Sequence, residues 1–444
     1  MTYREAAAYV EGLEVFGIRL GLDRIRALLD RLGTPELGIP AIHVVGSNGK
    51  SSTTRLAGVA LGSQGLRVGI YLSPHISGWR ERIEVDGAAV SAARFARAIT
   101  AVREAADALD LPDGDRVTQF ETLTAAAFWT FSRARCDAVV VEAGLGGRHD
   151  ATNVLGPHAV VALTNISLEH TDILGPTEAD VAGEKLAVVA DGSHRLVVGR
   201  LSDEAARAVE GESRRRGLES WRLGREIEVR MRAGRLDVAT PGRRYAGLTL
   251  GVQGRFQRDN VAVGIAAAER LLERPLTLRP LRRALAEIRI PGRLESFPGR
   301  PLLVLDGAHN PAGVDALASS LGEAVGRRRP VAVISVLDDK DAGAMIRALA
   351  PLCRAIVATR SSHSRAVDPE VLVAAARAAG CPAEAVEDPR SALRRACERA
   401  SPRGAVLVTG SLYLLADVRG ALPGRLGSPD ERGKGVDSRP PRAG

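Results

Sequence analysis

The segment Val44-Val-Gly-Ser-Asn-Gly-Lys-Ser-Ser-Thr-Thr54 has the residue types and spacing to hold phosphate. Gly46 and Gly49 permit a tight turn through Ser47 and Asn48 in which successive amides face phosphate oxygens. A helix starting near Lys50 adds the partial positive charge of its N-terminus. Lys50 would reach the β- and γ-phosphates of a nucleotide, and Ser51 or Ser52 would bring a hydroxyl near Mg²⁺. The longer Walker A spacing requires a glycine where Val44 stands, so this is the shortened G-x-x-G-K-S loop. An ordinary tight turn between strand and helix is the competing explanation.

The elements that must position this loop are legible around it. Ile42–Val45, Val68–Leu72, Ala138–Glu142 and Ala159–Thr164 are short apolar runs, each ending in a polar loop. Together with the Ala/Leu/Arg-rich helical stretches between them, they predict an α/β fold with mainly parallel sheets. Ligand-binding loops should then gather at the carboxyl edge. Residues 1–40 read as two amphipathic helices, the second at Leu22–Leu32. Alternation of Ile227, Val229 and Met231, then of Leu236 and Val238 across Ala233-Gly234, predicts a β-hairpin and a small antiparallel patch. Pro, Gly and Arg cluster at Pro291–Pro301, after which strands recur at Leu302–Leu305, Val331–Val336, Ala355–Thr359 and Ala405–Thr409. The expected organisation is a P-loop-type, mostly parallel domain over 1–292, a linker at 293–300 and a smaller Rossmann-like domain over 301–422. A disordered tail is expected over 423–444, where nine of 22 residues are Gly or Pro.

Four longer strings occur in order: Gly46-Ser-Asn-Gly-Lys-Ser-Ser52, Leu72-Ser-Pro-His75, Val141-Glu-Ala-Gly-Leu-Gly-Gly-Arg-His-Asp-Ala-Thr-Asn153 and Asp306-Gly-Ala-His-Asn-Pro311. Shorter ones are Leu20-Gly-Leu-Asp-Arg24, Ile166–Gly175, Pro291–Glu295, Leu337–Asp341 and Gly410-Ser-Leu-Tyr413. Together they resemble the dihydrofolate synthase/folylpolyglutamate synthase family of the Mur ligase superfamily, over about residues 10–420. The resemblance implies that ATP phosphorylates a folate-type carboxylate and that the amine of L-glutamate attacks the acyl phosphate. The acceptor would be dihydropteroate, a reduced folate carrying a γ-carboxylate, or both. Charge builds up in both steps, so cations and metal ions matter more than a nucleophilic side chain.

The resemblance also assigns residues. Ser73 and Glu142 would hold a Mg²⁺ bridging the β- and γ-phosphates, and Glu142 with His170 a second one nearer the acceptor. A turn residue before Pro74 and a plain strand end are the alternatives for the first two. Lys185 matches a lysine that the family carboxylates with CO₂; a salt-bridged helix lysine is its alternative. Asn260, Arg293, Asp306 and His309 would complete the nucleotide site, with a capping aspartate as the alternative for Asp306. In Gly254-Arg-Phe-Gln-Arg-Asp-Asn260 the family's usual histidine is replaced by Phe256, which puts a polar role there in doubt and favours packing. Phe120 and Glu121 match a segment beside the substrate cleft. Arg82 could reach a substrate carboxylate or be an exposed loop arginine.

Composition narrows the field further. The formal net charge is +8, from 61 basic and 53 acidic residues, with arginines concentrated on helical stretches such as Ala205–Arg216 and Leu278–Arg289. Solvated helix faces explain most of this, and anionic ligands the rest. Aromatics are 3% and do not interleave with the basic residues, so nucleic-acid binding is not expected. The four cysteines form no C-x-x-C pair, and no apolar run approaches membrane-spanning length, so a cytoplasmic protein away from membranes is expected, and the family resemblance implies a monomer. A UDP-muramyl amino-acid ligase is the nearest alternative, disfavoured because only about 40 residues precede the phosphate loop. A nucleotide-hydrolysing P-loop switch is the alternative from another class.

Overall fold

A computed structural model describes residues 1–13, 21–112, 115–190, 193, 195–420 and 422. The expected tail at 423–444, and Leu20 of the first short string, lie outside the described residues. Eight strands form the first sheet: β1 (Ala41–Val45), β2 (Val68–Tyr71), β3 (Ile83–Val85), β4 (Ala88–Ala89), β5 (Ala138–Glu142), β6 (Val160–Leu163), β7 (Arg195–Val198) and β8 (Glu219–Arg222). Their order is β4-β3-β2-β5-β1-β6-β7-β8, parallel from β2 to β8. The β3–β4 hairpin adds antiparallel to the β2 edge.

Central parallel strands are covered on both faces, and the residues show it. In β5, Ala138 and Val140 enter one hydrophobic cluster while Val139 and Val141 enter another on the opposite face. The helix Lys50–Gly62 lies on the first face with the helix Arg255–Leu272. A Cβ at Gly264 would stand 3.0 Å from the Ala57 amide nitrogen, so the two helices approach more closely than a side chain there would permit. The expected hairpin is present as β9 (Glu228–Arg232) and β10 (Arg235–Ala239), extended by β11 (Arg244–Leu248) into a three-stranded antiparallel sheet.

The second sheet holds β12 (Glu295–Phe297), β13 (Leu302–Leu305), β14 (Val331–Ile334), β15 (Ala355–Ala358), β16 (Ala383–Ala385) and β17 (Ala405–Thr409) in the order β12-β13-β17-β14-β15-β16. Only β12 is antiparallel. The segment 293–300, read from its Pro/Gly/Arg content as a bare linker, therefore contributes an edge strand. Glu295 anchors that strand through paired hydrogen bonds of 3.0 Å from Arg419.

The two sheet units meet at helix Arg255–Leu272. The Gly254 amide donates to Glu323 (3.2 Å), the Arg255 amide to Ser320 Oγ (3.0 Å), and Arg258 pairs with Glu323 (2.5 Å). Phe256 packs against the second unit's hydrophobic cluster, which includes Leu294. The residue that departs from the family pattern is thus an apolar contact between units.

Candidate active site

The phosphate loop leaves β1 and enters the helix Lys50–Gly62 at the edge of the first sheet. Both glycines are required by geometry. Gly46 has φ +144°, and a Cβ there would collide with Thr164 Oγ1; Gly49 has φ +81°, and a Cβ would lie 2.7 Å from Asn260 Oδ1. Two loop amides are already engaged: Ser47 N–H donates to the Asn165 carbonyl (3.0 Å) and Asn48 N–H to Asn165 Oδ1 (2.8 Å). The donors left for an anion are the first-turn amides of the helix, which have no acceptor within it. Lys50 Nζ bonds the Gly46 and Ser47 carbonyls at 2.8 and 3.2 Å, so the ammonium lies over its own loop. Ser52 is buried and accepts from Gln257 Nε2 (3.3 Å), and Gln257 Oε1 accepts from Asn260 Nδ2 (3.0 Å). Ser52 and Asn260 support the loop from beneath and do not line the cavity in front of it.

That cavity, about 460 Å³, spans the two sheet units. Ser47, Asn48, Gly49, Lys50 and Ser51 face into it from the loop, with Ser73 and Glu142 at the ends of β2 and β5. Arg293, His309 and Tyr413 face it from the second unit. Glu142 is buried and accepts from Ser51 Oγ (2.8 Å) and from the Ser73 amide (3.1 Å). Burial pushes its pKa up, opposed first by Lys50. It makes no ion pair among the described residues, so a carboxylate held by one serine hydroxyl and one backbone amide, with the Ser73 side chain lining the same cavity, is left to be neutralised by a cation. A hard, oxygen-rich donor set of this kind fits Mg²⁺. His170 lines the same cavity from a left-handed backbone position (φ +46°), ahead of the short helix Thr171–Leu174.

Lys185 lies deeper. It is 1% exposed, donates to the Gly46 carbonyl (3.0 Å) and pairs with Glu169 at 2.8 Å. Burial lowers its pKa to about 8, partly offset by Glu169. For Glu169 burial acts the other way, but Lys50 and Lys185 together bring it down to about 2. Sequence reasoning missed Glu169, although it directly precedes His170 inside the Ile166–Gly175 string.

The acceptor side is built on helix Gln119–Ala134. Phe120 lines the cavity and tilts against Tyr71 with ring centroids 6.1 Å apart; Gly144 leaves room for it, since a Cβ there would come 2.6 Å from the ring. Glu121 also lines the cavity, but its carboxylate is engaged by Arg24 (3.1 Å) and the Thr118 amide (2.7 Å). It caps its own helix and holds the helix Asp23–Arg31 in place. Arg24 was visible only as the end of a short string. Arg82 corrects the loop expectation: it is 9% exposed, donates to His75 Nδ1 (3.1 Å), lies over the Trp79 ring and is absent from the cavity lining.

Asp150 organises the loop after β5, accepting from the amides of Gly144 (2.9 Å) and Leu145 (2.8 Å) and contacting Thr152, which bonds His43. In the second unit Asp306 accepts from the amides of Leu294 and Ala308, both 2.9 Å. It is buried and ties the linker to the 306–310 loop without facing the cavity. His309 does face it, with Nδ1 on the Gly307 carbonyl (2.8 Å) and its pKa lowered to about 4 by burial. Asn310 Nδ2 donates to Asn48 Oδ1 (3.1 Å), a direct bond from the second unit to the phosphate loop.

Residues 44–268 match the Mur ligase middle domain, and 292–412 match the Mur ligase glutamate ligase domain. The chain is 33% identical to the dihydrofolate synthase/folylpolyglutamate synthase of Bacillus subtilis, covering 95% of this chain and 99% of that one. It is 35% identical to a probable bifunctional folylpolyglutamate synthase/dihydropteroate synthase of Haloferax volcanii, over 94% of this chain but only 50% of that longer protein. The structure of Mycobacterium tuberculosis folylpolyglutamate synthase complexed with ADP superposes with a TM-score of 0.88 at 32% identity, covering 94% of this chain and 98% of that one.

Proposed function

Since the chain belongs to the dihydrofolate synthase/folylpolyglutamate synthase family of Mur ligases, we propose that it joins L-glutamate to dihydropteroate, to the γ-carboxylate of reduced folates, or to both, at the expense of ATP. The observation that carries this reading is the single cavity in which Lys50, Ser51 and Glu142 face Phe120 on one side and Arg293 and His309 on the other. Nucleotide phosphates and an acceptor carboxylate can meet there without leaving the protein.

In this scheme the helix amides after Gly49 and the Lys50 ammonium hold the β- and γ-phosphates. Arg293 and His309 close on the nucleotide from the second unit, so domain closure over 1–292 and 301–422 completes the site. Glu142, with Ser73 and Ser51, would hold Mg²⁺, and His170 would add a ligand nearer the acceptor. The metal, when bound, neutralises phosphate charge and polarises the transferring group. Phe120 forms an apolar wall for the acceptor's ring system. Lys185 as a carbamate would add an anionic ligand near the metal; as the free ammonium it pairs with Glu169. A monomer in the cytoplasm is the setting we propose.

The test is ADP release with Mg²⁺-ATP and L-glutamate, comparing dihydropteroate with tetrahydrofolate as acceptor. Release with both acceptors supports a bifunctional enzyme, and release with one identifies the specialised form. Release with neither, in protein shown to bind ATP, would overturn the reading in favour of a UDP-muramyl ligase or a P-loop switch.

A further inference from the structure

Helix Pro311–Val325 bonds the first sheet unit near both of its ends. Toward its carboxyl end, Ser320 and Glu323 accept from Gly254, Arg255 and Arg258 at the start of helix Arg255–Leu272. At its amino end, the N-cap residue Asn310 donates from Nδ2 to Asn48 Oδ1 (3.1 Å), the one hydrogen bond among the described residues from the second unit to the phosphate loop. The two attachment points lie roughly 15–20 Å apart along the helix. One point would leave a pivot; two fix an orientation.

The amide orientations are determined by their other bonds. Asn310 Oδ1 caps its helix by accepting from the Gly313 amide (2.7 Å), so Nδ2 is the group left for Asn48. Asn48 then presents Oδ1 and turns its own Nδ2 to Ser167 Oγ (3.4 Å). Asn48 is also a fixed target, since its amide donates to Asn165 Oδ1 and its carbonyl accepts from Thr164 Oγ1 (2.6 Å). Asn310 is buried, and losing its partner would strand a donor away from water. The bond also carries a block into place. His309 adjoins Asn310, and Asp306 ties Leu294 to Ala308. Arg293 packs on the same loop: Gly307 N–H donates to the Gly292 carbonyl (2.8 Å), and a Cβ at Gly307 would come 2.4 Å from Arg293 Nη1.

We propose that Asn48 and Asn310 are a positioning pair: their bond sets Arg293 and His309 against the phosphate loop, so that both units reach one nucleotide. The role rests on the ligase reading of the cavity. Two neutral amides suit the task. An ion pair at this edge would add a fixed charge beside the phosphates, and an apolar contact would impose no direction. A neutral hydrogen bond shifts an equilibrium by roughly fivefold, enough to favour the assembled arrangement and weak enough to let the cleft reopen for product release. The fraction of molecules so assembled then enters the apparent affinity for any ligand held by both units.

The test is a double-mutant cycle of Asn48→Ala and Asn310→Ser in the full-length protein, read by calorimetric affinity for Mg²⁺-ADP and by kcat for ADP release. Serine keeps the helix cap, but its hydroxyl stops short of Asn48, so Asn310→Ser should melt close to wild type. It should weaken ADP binding and lower kcat, each roughly fivefold. With Asn48→Ala already present, the same change should cost less than about twofold in either. The cycle cancels what each substitution does alone, including any loss of stability. Losses that multiply in the double variant would leave Asn310 as a helix cap only and overturn the pair, as would unchanged affinity and kcat in Asn310→Ser. ADP binding needs no acceptor, so the two readings fail separately. Coupled affinities without glutamate-dependent ADP release would lose the ligase and keep the pair; an active ligase with uncoupled affinities would lose the pair alone.

Discussion

Glu169→Gln is the most informative perturbation of the catalytic region, because its sign distinguishes two states of Lys185. In the structure Glu169 accepts from Lys185 at 2.8 Å, and its carboxyl is brought from 4.5 to about 2. At 1.36 kcal/mol per unit, the ionised carboxylate contributes about 3 kcal/mol at neutral pH. The folded pKa lies below the unfolded one, so this stability is present above pH 4.5 and fades as the pH falls toward 2. Lys185 tells the opposite story: its fall to about 8 means that burial outweighs its attraction to Glu169. We rest the prediction on the carboxylate, because it is attracted by two lysines, Lys50 and Lys185, whereas Lys185 is bonded to one carboxylate. With a free ammonium, Glu169→Gln should lower the urea midpoint by roughly 1 M, for a slope near 3 kcal/mol per M. The deficit should shrink between pH 4.5 and 2. If CO₂ carboxylates Lys185, two anions would adjoin, and the same substitution should be neutral or stabilising in bicarbonate buffer. A loss below about 1 kcal/mol in CO₂-depleted buffer would refute the ion-pair reasoning.

Three further predictions concern the active-site cavity. Lys50→Ala should nearly abolish ADP release in a folded protein; activity within about tenfold of wild type, under ~1.4 kcal/mol of barrier, would refute its role at the phosphates. Glu142→Gln should also lose turnover yet melt higher than wild type at neutral pH without nucleotide. Its folded pKa is raised by burial, so ionisation costs stability as the pH rises above 4.5, and the difference should vanish below that value. Arg82→Met should lower the melting temperature while leaving the acceptor KM within about threefold, because the guanidinium packs under the loop and does not face the cavity. An unchanged melt with a KM raised more than about tenfold would place Arg82 on the substrate instead.

The phosphate loop was readable because its chemistry is local. Glycines at 46 and 49, a lysine at 50 and a preceding apolar run specify a turn that begins a helix, whatever surrounds it. Eight strands of the two sheets were readable for the same reason, though interior β7 and the short β3, β4 and β16 were not: runs such as Val139–Val141 and Val331–Val333 are apolar on both faces, as buried parallel strands must be. Edge elements were not. β8 and β12 are short and half-exposed, and β12 lies in a segment whose Pro and Gly content signals a loop. Burial and pairing, which long-range contacts supply, make those residues strands.

The sequence alone determined the local machinery and, through ordered motifs, the family to which it belongs. Tertiary structure decided which motif residues face the cavity and which hold others in place. Glu121 and Asp306 both read as functional carboxylates, yet each gives its oxygens to neighbouring amides or to Arg24, while Glu142 keeps a buried carboxylate without an ion pair among the described residues, in the cavity beside the phosphate loop. Glu169 stood out in neither spacing nor composition. Its role arises because the fold buries it beside Lys185. A carboxylate's chemistry is set by its desolvation and its nearest charges, and residues far apart in the chain provide both.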